Sequence, residues 1–417
     1  MPDRNVIVAP RNVIVADTGM ARVVVNRHGI EAVRRGHPWI FRSAVSHASP
    51  RYPDARIVAI VSEQDEIVGC GVSDPDSPLA VRVWGTTPDV RLDASLVAGR
   101  LLRALALRSE LFADGQTTAY RLLNGEGDRT PGFVIDRYGD IAVLRIDGDA
   151  ALAVAPLLLR DVEPILRAAG IATLLERTSK RTDSAEPKSV AVRFGAEPKS
   201  VHVTEHGVPF IVDVMRGQKT GAFLDQRENR RRIGELVARR RRAGLGIRVL
   251  NLFSYTGGFS QRAALAGGIV TSVDVAAKAH GTAQESFKLA GIDLSPHSFV
   301  SADAFGWLAE QKKKEKRWDV VISDPPSFAP SERAKPNAIS AYRALHRACA
   351  EVLAPGGTLI AASCSSHISA EDFLTTLDDL ALGRSDLRLL DLFGPPPDHP
   401  TLPSFPEGRY LKLAVLA

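Results

Sequence analysis

The sequence predicts an α/β protein with a doubly wound parallel sheet in its C-terminal half, preceded by a β-rich domain and a central α+β domain. Three observations support this fold class. The chain has 417 residues, too many for one ordinary core. Its apolar runs from about residue 22 to 90 are short and rich in β-branched residues. From about residue 230, strand and helix patterns alternate, which is typical of a parallel sheet.

The N-terminal domain is predicted over residues 21–95. The runs ARVVV, ARIVAIV, EIVGCGV and LAVRVW are separated by turn residues, which indicates a small β-barrel or sheet. A helical pattern over residues 92–111 leads out of this domain.

The central α+β domain is predicted over residues 96–212. Strand patterns over residues 132–146 are followed by a helical pattern over 151–170 and then by the strand patterns TLLER, VAVRF, VHVTE and PFIVDV. Two duplications, of RNVIVA (4–9 and 11–16) and AEPKSV (185–190 and 196–201), do not continue as arrays, so we assign them no function.

The C-terminal domain is predicted over residues 213–417. Its strands read IRVLNLF, IVTSVDV, DVVISD and TLIAASC, with helical patterns between them. Ligands of such sheets bind beyond the carboxyl ends of the strands. Those ends carry Asn251, Asp274, Asp324 and Cys364.

Composition favours a cytoplasmic protein without a metal site. No run of 18 apolar residues is present, and the first ten residues lack a signal-peptide core. Cys70, Cys349 and Cys364 are too far apart in sequence for a CxxC zinc site or a disulfide framework. We therefore expect a reducing compartment, no metal and no membrane.

Charge is concentrated in two basic regions, although the net charge is only +5. The first region contains Arg230–Arg232 and Arg239–Arg242. The second contains Lys312–Lys314, Lys316 and Arg317. Such runs suit a polyanion such as RNA, and a solvated helix face explains either run equally well.

The loop after the first C-terminal strand, VLNLFSYTGGFS (249–260), indicates a cofactor site. Gly257 and Gly258 allow close approach of the backbone to a ligand, but neither GxGxxG nor GxxxxGK[ST] is present. Asp274 ends the next strand, where an acid can bind the hydroxyls of a ribose. Asp303 follows a third strand and is placed to bind the amino group of an adenine. A cofactor that carries adenosine without phosphate is favoured, namely S-adenosylmethionine. Each acid alone also suits a helix cap.

The stretch DPPSF holds Asp324 rigidly at a strand end, since Pro325 and Pro326 fix φ and remove two backbone donors. Phe328 is placed to stack on a base, and a stiff turn is the alternative. Cys364 ends a strand of the same sheet and is predicted to be a catalytic thiol, although a lone Cys is more often a small buried hydrophobe. Cys70 and Cys349 are predicted to be core residues.

Five segments together resemble the bacterial 23S ribosomal RNA large-subunit methyltransferases, a group that includes cytosine-C5 enzymes. They are GQKTGAFLDQRENR (217–230), LNLFSYTGGFS, DPPSF, SCS and DHPTLPSFPEGRYLK (398–412). The resemblance implies that residues 25–45 begin an RNA-binding PUA domain and that residues 120–140 open the central domain. It also implies that a Rossmann-like methyltransferase domain follows.

The strand-end pattern and the resemblance together imply roles for individual residues; those of residues 217–230 and 398–412 follow from the resemblance. The cofactor S-adenosylmethionine is expected to contact Lys219, Thr220, Phe223, Asp225, Arg227, Asn251, Phe253, Ser254, Tyr255, Gly257, Asp274, Asp303, Asp324 and Pro325. The substrate is expected to contact Pro326, Phe328 and His399. Glu407 and Tyr410 are expected near the crevice, with no role assigned.

The expected reaction forms 5-methylcytosine in 23S ribosomal RNA, free or in a large-subunit assembly intermediate. The Cys364 thiolate would add to C6 of cytosine and so activate C5, while Asp324 would orient the N3/N4 edge. Pro326 stands where many RNA cytosine-C5 enzymes carry a second Cys, so the base that releases product is open. One alternative is methylation of a purine nitrogen, either guanine N7 or an amino nitrogen, without a thiol. Another is a non-catalytic RNA-binding assembly factor. The sequence does not specify the oligomeric state, for which a homodimer is one option.

Overall fold

The computed structural model describes residues 20–179, 190–198, 200–378 and 380–417. The RNVIVA duplication lies outside the described residues, as do residues 185–189 of the first AEPKSV copy. Within the described ranges, no helix has the length and apolarity needed to cross a membrane.

The N-terminal unit is a five-stranded sheet in the order β1-β3-β4-β5-β2, with one helix between its first two strands. β1 runs parallel to β3, and the other pairs are antiparallel. Val33 of the helix packs with Ile40, Val58 and Val81 of the strands. The elements are β1 (Arg22–Val24), α1 (Arg27–Arg34), β2 (Trp39–Phe41), β3 (Ile57–Val61), β4 (Ile67–Ser73) and β5 (Leu79–Gly85).

The central unit is a mixed five-stranded sheet in the order β10-β9-β8-β7-β6. Only β8 and β9 are parallel, because helix α3 connects them as a crossover. Helices α2 and α3 cover one face of the sheet, and a β11–β12 hairpin packs on the other. The elements are α2 (Ala94–Leu111), β6 (Ala119–Asn124), β7 (Phe133–Tyr138), β8 (Ile141–Asp147), α3 (Asp149–Ala168), β9 (Thr173–Ser179), β10 (Val190–Phe194), β11 (Val201–Glu205) and β12 (Val208–Val212).

The first two units share one core, in which Trp84 of β5 meets Phe133 of β7 with ring centroids 6.1 Å apart. The predicted domain boundaries, at 95/96 and 212/213, stay predictions.

The C-terminal unit is a seven-stranded sheet in the order β15-β14-β13-β16-β17-β19-β18. The strands from β13 to β17 run parallel, and β19 is antiparallel to both of its neighbours. The elements are α4 (Arg227–Arg242), β13 (Arg248–Leu252), α5 (Gly258–Leu265), β14 (Ile269–Asp274), α6 (Ala277–Leu289), β15 (Ser298–Ser301), α7 (Ala304–Lys313), β16 (Trp318–Ser323), α8 (Lys335–Glu351), β17 (Leu353–Ser363), α9 (Ala370–Asp378), α10 (Leu380–Gly383), β18 (Leu389–Phe393) and β19 (Lys412–Leu416).

Both faces of this sheet are covered, as the continuous apolar strands require. In β16, Val320 and Ile322 point to the core formed with α4 and α5. Val321 points to the opposite core, formed with α7, α8 and α9. The strand order reverses between β13 and β16, the place where doubly wound sheets bind ligands. The predicted fold class is confirmed.

The segment between β18 and β19, residues 394–411, links all three units. The Asp398 carboxylate accepts hydrogen bonds from the backbone N–H of Arg121 (3.0 Å) and from the Arg227 guanidinium (2.7 and 2.8 Å). Phe405 packs against Trp39 of β2 with ring centroids 4.6 Å apart. The segment therefore joins the N-terminal and central units to the carboxyl edge of the large sheet.

Candidate active site

A cavity of about 400 Å³ lies at the carboxyl ends of β13, β14, β16 and β17. The β11–β12 hairpin and the segment from Gln218 to Gln226 form its other walls. Eleven of the residues predicted from the sequence line it, namely Phe223, Asp225, Phe253, Ser254, Tyr255, Asp274, Asp303, Asp324, Pro325, Pro326 and Cys364.

The loop after β13 is bent sharply around the cavity. Phe253, Tyr255 and Gly257 all have left-handed backbones, with φ of +56°, +47° and +74°. Gly257 is required on steric grounds too, because an added Cβ would lie 2.9 Å from the Cβ of Ala283. Strained non-glycine residues of this kind are concentrated at functional sites, which supports a binding role for the loop.

Asp274 fixes this loop and still faces the cavity. Its two carboxylate oxygens accept the backbone N–H groups of Tyr255 and Ala276, each at 2.8 Å. An ionised carboxylate has about four acceptor positions, so these bonds leave capacity for ligand hydroxyls. The next residue, Val275, is 72% exposed and offers an apolar surface beside the acid.

Asp303 has the role of a helix cap as well as a place in the cavity wall. Its carboxylate accepts the backbone N–H of Gly306 at 2.8 Å and caps α7. The cap explains why an acid follows β15. One capping bond does not occupy a carboxylate, so the predicted contact with adenine stays a prediction.

Asp324 directly follows β16 and receives a hydrogen bond from Gln226. The side-chain amide of Gln226 donates to Asp324 Oδ2 at 2.9 Å. Burial, assisted by the nearby Asp225 carboxylate, raises the pKa of Asp324 to about 7. Near neutral pH the carboxyl is therefore available in both protonation states, as general acid–base chemistry requires.

Asp225 is the ionised partner of Asp324. Burial opposes its charge, but the Lys219 ammonium, 2.9 Å from Asp225 Oδ2, and the Tyr410 hydroxyl, which donates to the same oxygen at 2.9 Å, favour it. Together with His399 they hold the pKa of Asp225 well below its usual range. Asp225 Oδ1 is buried and has no hydrogen-bond partner in the described part of the chain.

Cys364 directly follows β17 and shares the cavity with Asp324. Burial, together with the Asp324 carboxyl, raises the pKa of the thiol to about 11, so the resting side chain is a neutral thiol. The loop behind it is held by Lys412 of β19. The buried ammonium of Lys412 donates to the carbonyl oxygens of Ser365 (2.6 Å) and Ile368 (2.5 Å), and burial lowers its pKa to about 8.

Seven predicted residues lie around the cavity rather than in its wall, namely Lys219, Thr220, Arg227, Asn251, Gly257, Phe328 and His399. Most are engaged with protein groups. Thr220 Oγ1 donates to Asp136 Oδ2 (2.6 Å), and Asn251 Nδ2 donates to Ser260 Oγ (2.9 Å). Phe328 packs on Tyr342, with ring centroids 4.9 Å apart. The predicted ligand contacts of these seven residues stay predictions, and their placement favours indirect roles.

Sequence reasoning missed three groups that the structure brings to the site. Gln226 lies within GQKTGAFLDQRENR (217–230), but the motif alone does not predict its contact with Asp324. Arg230 of α4 pairs with Glu205 of β11 (Nε to Oε2, 2.9 Å), and both side chains line the cavity. Lys412 reaches the Cys364 loop from another strand. Only the tertiary structure brings these distant segments together.

Comparison with known proteins gives two family matches. Residues 157–408 match the family described as S-adenosylmethionine-dependent methyltransferase, and residues 23–85 match the PUA-like domain. The chain belongs to the S-adenosylmethionine-dependent methyltransferases. Among these methyltransferases, "Ribosomal RNA large subunit methyltransferase" from Deinococcus radiodurans is 39% identical, over 92% of this chain and 94% of the relative. "Ribosomal RNA large subunit methyltransferase I" from Klebsiella pneumoniae (strain 342) is 31% identical, over 95% and 98%.

Solved structures of similar fold support the assignment of the architecture. A SAM-dependent methyltransferase from Streptococcus mutans superposes with a TM-score of 0.83 at 24% identity, covering 95% of this chain and 100% of that chain. A methyltransferase complexed with SAH superposes with a TM-score of 0.82 at 23% identity and the same coverage. The predicted family and the PUA-like domain are confirmed.

The residues of the methyltransferase cavity fit S-adenosylmethionine, the confirmed cofactor of this family. Ser254 Oγ and Asp225 Oδ1 belong to lining residues and are buried without a hydrogen-bond partner within the described ranges. Such orphaned groups are costly unless a ligand satisfies them. The Asp274 carboxylate suits ribose hydroxyls, and the aspartates of the cavity wall together suit the positive charge of a sulfonium. Across the described residues, no group of three or more His, Cys, Asp or Glu side chains is arranged to hold a metal ion.

Proposed function

We propose that this methyltransferase modifies large-subunit ribosomal RNA, free or in an assembly intermediate, and forms 5-methylcytosine through an adduct with Cys364. The observation that carries the proposal is that Cys364 and Asp324 follow adjacent strands and face one cofactor cavity. The names of the relatives and the PUA-like domain support RNA as the substrate.

The chemistry needs a nucleophile because cytosine C5 is unreactive. When bound, S-adenosylmethionine supplies a methyl group on a sulfonium. The Cys364 thiolate forms a bond to C6, which makes C5 nucleophilic enough to take the methyl group. A general base then takes the C5 proton, and the electron pair of the C5–H bond expels Cys364 as its thiolate and restores the aromatic ring. The base must be unstacked from the RNA to reach the cavity.

Asp324 is suited to assist the addition step. In its protonated form the carboxyl donates to N3 of the ring and offsets the negative charge that develops there when sulfur adds to C6. Its pKa of about 7 keeps a large protonated fraction at neutral pH. The hydrogen bond from Gln226 fixes its orientation.

The resting thiol must be ionised in the loaded complex. Its pKa of about 11 reflects burial beside carboxyl groups. A positive charge near the thiol favours the thiolate. Lys412, whose ammonium holds the following loop, is such a charge. The sulfonium of a bound cofactor would be a second one.

Methylation of a purine nitrogen is the second candidate, because DPPSF resembles the motif of amino-group methyltransferases. In that mechanism the aromatic residue stacks on the substrate base. Phe328 instead packs against Tyr342 and does not line the cavity, whereas Cys364, which only the thiol mechanism needs, does line it. A non-catalytic assembly factor would not need the cofactor cavity. Measured binding of S-adenosylmethionine would argue against such a factor, and an absence of binding would favour it.

The test is methyl transfer to unmodified 23S ribosomal RNA, with the product nucleotide identified by mass spectrometry. The native chain is expected to yield 5-methylcytosine, and Cys364→Ala is expected to yield none. Cys349→Ala is the matched control, since Cys349 is fully buried under β17. Undiminished transfer by Cys364→Ala, or a methylated purine, would refute the covalent mechanism.

A further inference from the structure

The runs Arg239–Arg242 and Lys312–Arg317 lie at the edge of the large sheet opposite the cavity, whereas Arg230, near the start of α4, lines the cavity. Helix α4 ends at Arg242 and leads into the amino end of β13, and α7 ends at Lys313 and leads into the amino end of β16. The parallel strands form the cavity with their carboxyl ends, so these helix ends lie at the other edge. Contacts agree: Arg240 donates to the carbonyl oxygens of Gly246 (3.0 Å) and Gly356 (3.2 Å), near the starts of β13 and β17.

The two runs lie at the same edge of the sheet, although about 70 residues separate them and their helices cover opposite faces. β13 and β16 are adjacent strands, and Arg248 of β13 pairs with Asp319 of β16 (Nε to Oδ2, 3.2 Å). Arg317 immediately precedes β16. We call the resulting surface the basic edge, formed by Arg239, Arg240, Arg241, Arg242, Lys313, Lys316 and Arg317.

The cations of the basic edge are not neutralised by the protein. Lys312 pairs with Glu351 (2.6 Å) and Lys314 with Glu310 (3.5 Å). In contrast, within the part of the chain that the structure describes, none of the seven residues of the basic edge forms an ion pair with a carboxylate. Arg239, Arg241, Arg242, Lys313 and Lys316 are exposed. Clustered charges of one sign repel each other, and a bound polyanion offsets this repulsion.

We infer that the basic edge binds phosphates of the RNA substrate far from the nucleotide that is methylated. The inference rests on the proposed function and adds a second RNA contact, outside the cavity. Arg and Lys side chains contact phosphates without reading sequence, so this surface contributes affinity rather than choice of nucleotide.

The distance between the two sites determines which RNA can use both. β16 has six residues, Trp318–Ser323, and a strand rises about 3.3 Å per residue, so the basic edge is roughly 20 Å from Asp324. The path between them also goes around the domain. A short RNA held in the cavity does not reach the basic edge, whereas a large folded RNA does.

The test compares two RNA substrates at several salt concentrations. The variant Arg239→Gln/Arg241→Gln/Arg242→Gln removes three charges from the basic edge. The control Arg91→Gln/Arg103→Gln/Arg160→Gln removes three exposed charges elsewhere. Binding constants are measured for full-length 23S ribosomal RNA and for a short hairpin that carries the mapped target nucleotide, together with kcat at saturating RNA.

The edge variant is expected to bind 23S ribosomal RNA about tenfold more weakly at 0.1 M salt, and to lower the slope of log K against log salt by about 2 to 3. Its binding to the hairpin and its kcat are expected to equal those of the native chain. An unchanged affinity for 23S ribosomal RNA, an equal loss on both RNAs, or the same loss in the control would overturn the inference. A native chain that binds neither RNA would instead overturn the proposed function.

Discussion

The ammonium of Lys412 lies 2.6 Å from the carbonyl oxygen of Ser365, the residue that follows Cys364. It also binds the carbonyl oxygen of Ile368. A buried lysine on an antiparallel strand thus holds the loop that carries the proposed nucleophile. We expect Lys412 to act indirectly, by positioning this loop and by placing a positive charge near the thiol.

Replacing this lysine tests that role. Lys412→Met leaves two buried carbonyl oxygens without a donor, which costs about 1–3 kcal/mol of stability for each. We expect kcat to fall by roughly a hundredfold, since displacement of a reacting group by about 1 Å has that effect. Alkylation of Cys364 by iodoacetamide is expected to shift to higher pH, because a cation near the thiol is lost.

The control for this experiment is Lys288→Met, an exposed lysine in α6. It is expected to leave both kcat and the alkylation profile unchanged. A Lys412→Met protein that folds and retains the native alkylation profile would show that the lysine serves stability alone.

The pH dependence of the reaction should reveal Asp324. The proposed mechanism needs the acid form of Asp324 and the thiolate form of Cys364. We therefore expect kcat/KM for RNA to rise with pH until about 7, as the thiol ionises, and then to level off. Above pH 7, further ionisation of the thiol is offset by loss of the Asp324 proton. Asp324→Asn is expected to be slower and to keep rising above pH 7. A native profile that continues to rise through pH 8.5 would contradict this role.

The same carboxyl should affect stability with a definite sign. The pKa of Asp324 is raised in the folded protein, so the folded state holds the proton more tightly than the unfolded state. Stability is therefore lost as pH rises from about 4 to about 7. Asp324→Asn is expected to flatten this part of the curve of Tm against pH; an identical curve for both proteins would argue against the raised pKa.

Asp274 is expected to dominate cofactor affinity. Asp274→Ala removes acceptors for ligand hydroxyls and also the two bonds that fix the preceding loop. Hydrogen bonds to charged groups contribute about 1.5–3 kcal/mol, so S-adenosylhomocysteine should bind about 10 to 100 times more weakly by calorimetry. Asp293→Ala, an exposed acid before β15, should bind it as the native chain does. Equal affinity in the two variants would remove Asp274 from the cofactor site.

The buried pair between Arg227 and Asp398 is expected to be structural. The two side chains are 1% and 0% exposed, and the guanidinium forms two bonds to the carboxylate. Arg227→Met leaves an unpaired buried carboxylate, which costs about 3–5 kcal/mol and should lower Tm by several degrees. Affinity for the cofactor at a temperature where the variant is folded should be unchanged. A large loss of affinity with little change in Tm would favour the direct contact predicted from the sequence.

The sequence predicts the parts of the site that depend on local pattern. Asp274, Asp324 and Cys364 end apolar strands, and the carboxyl-edge rule for parallel sheets places them together without further information. Asn251 lies one residue before the end of β13, but its side chain turns inward to Ser260. Periodicity gives the position of a residue along a strand; it does not give the partner that the side chain finds.

The remaining contacts depend on segments far apart in the chain. Nothing near Arg230 predicts Glu205 as its partner, and the Gln226 amide finds Asp324 across nearly 100 residues. The location of the basic runs is also tertiary information. Their sequence predicted an RNA contact without a location, and the fold places Arg239–Arg242 and Lys312–Arg317 at the edge opposite the cavity, because each run lies at the end of a helix that leads into a parallel strand.

The segment of residues 394–411 has a consequence for biosynthesis. Tyr410 completes the contacts of Asp225, and Lys412, just beyond the segment, completes those of the Cys364 loop. Both partners are translated after all the residues that line the cavity, of which Cys364 is the last along the chain. While the polypeptide is still emerging from the ribosome that makes it, the cavity therefore lacks these two supports until residues 410–412 have been released.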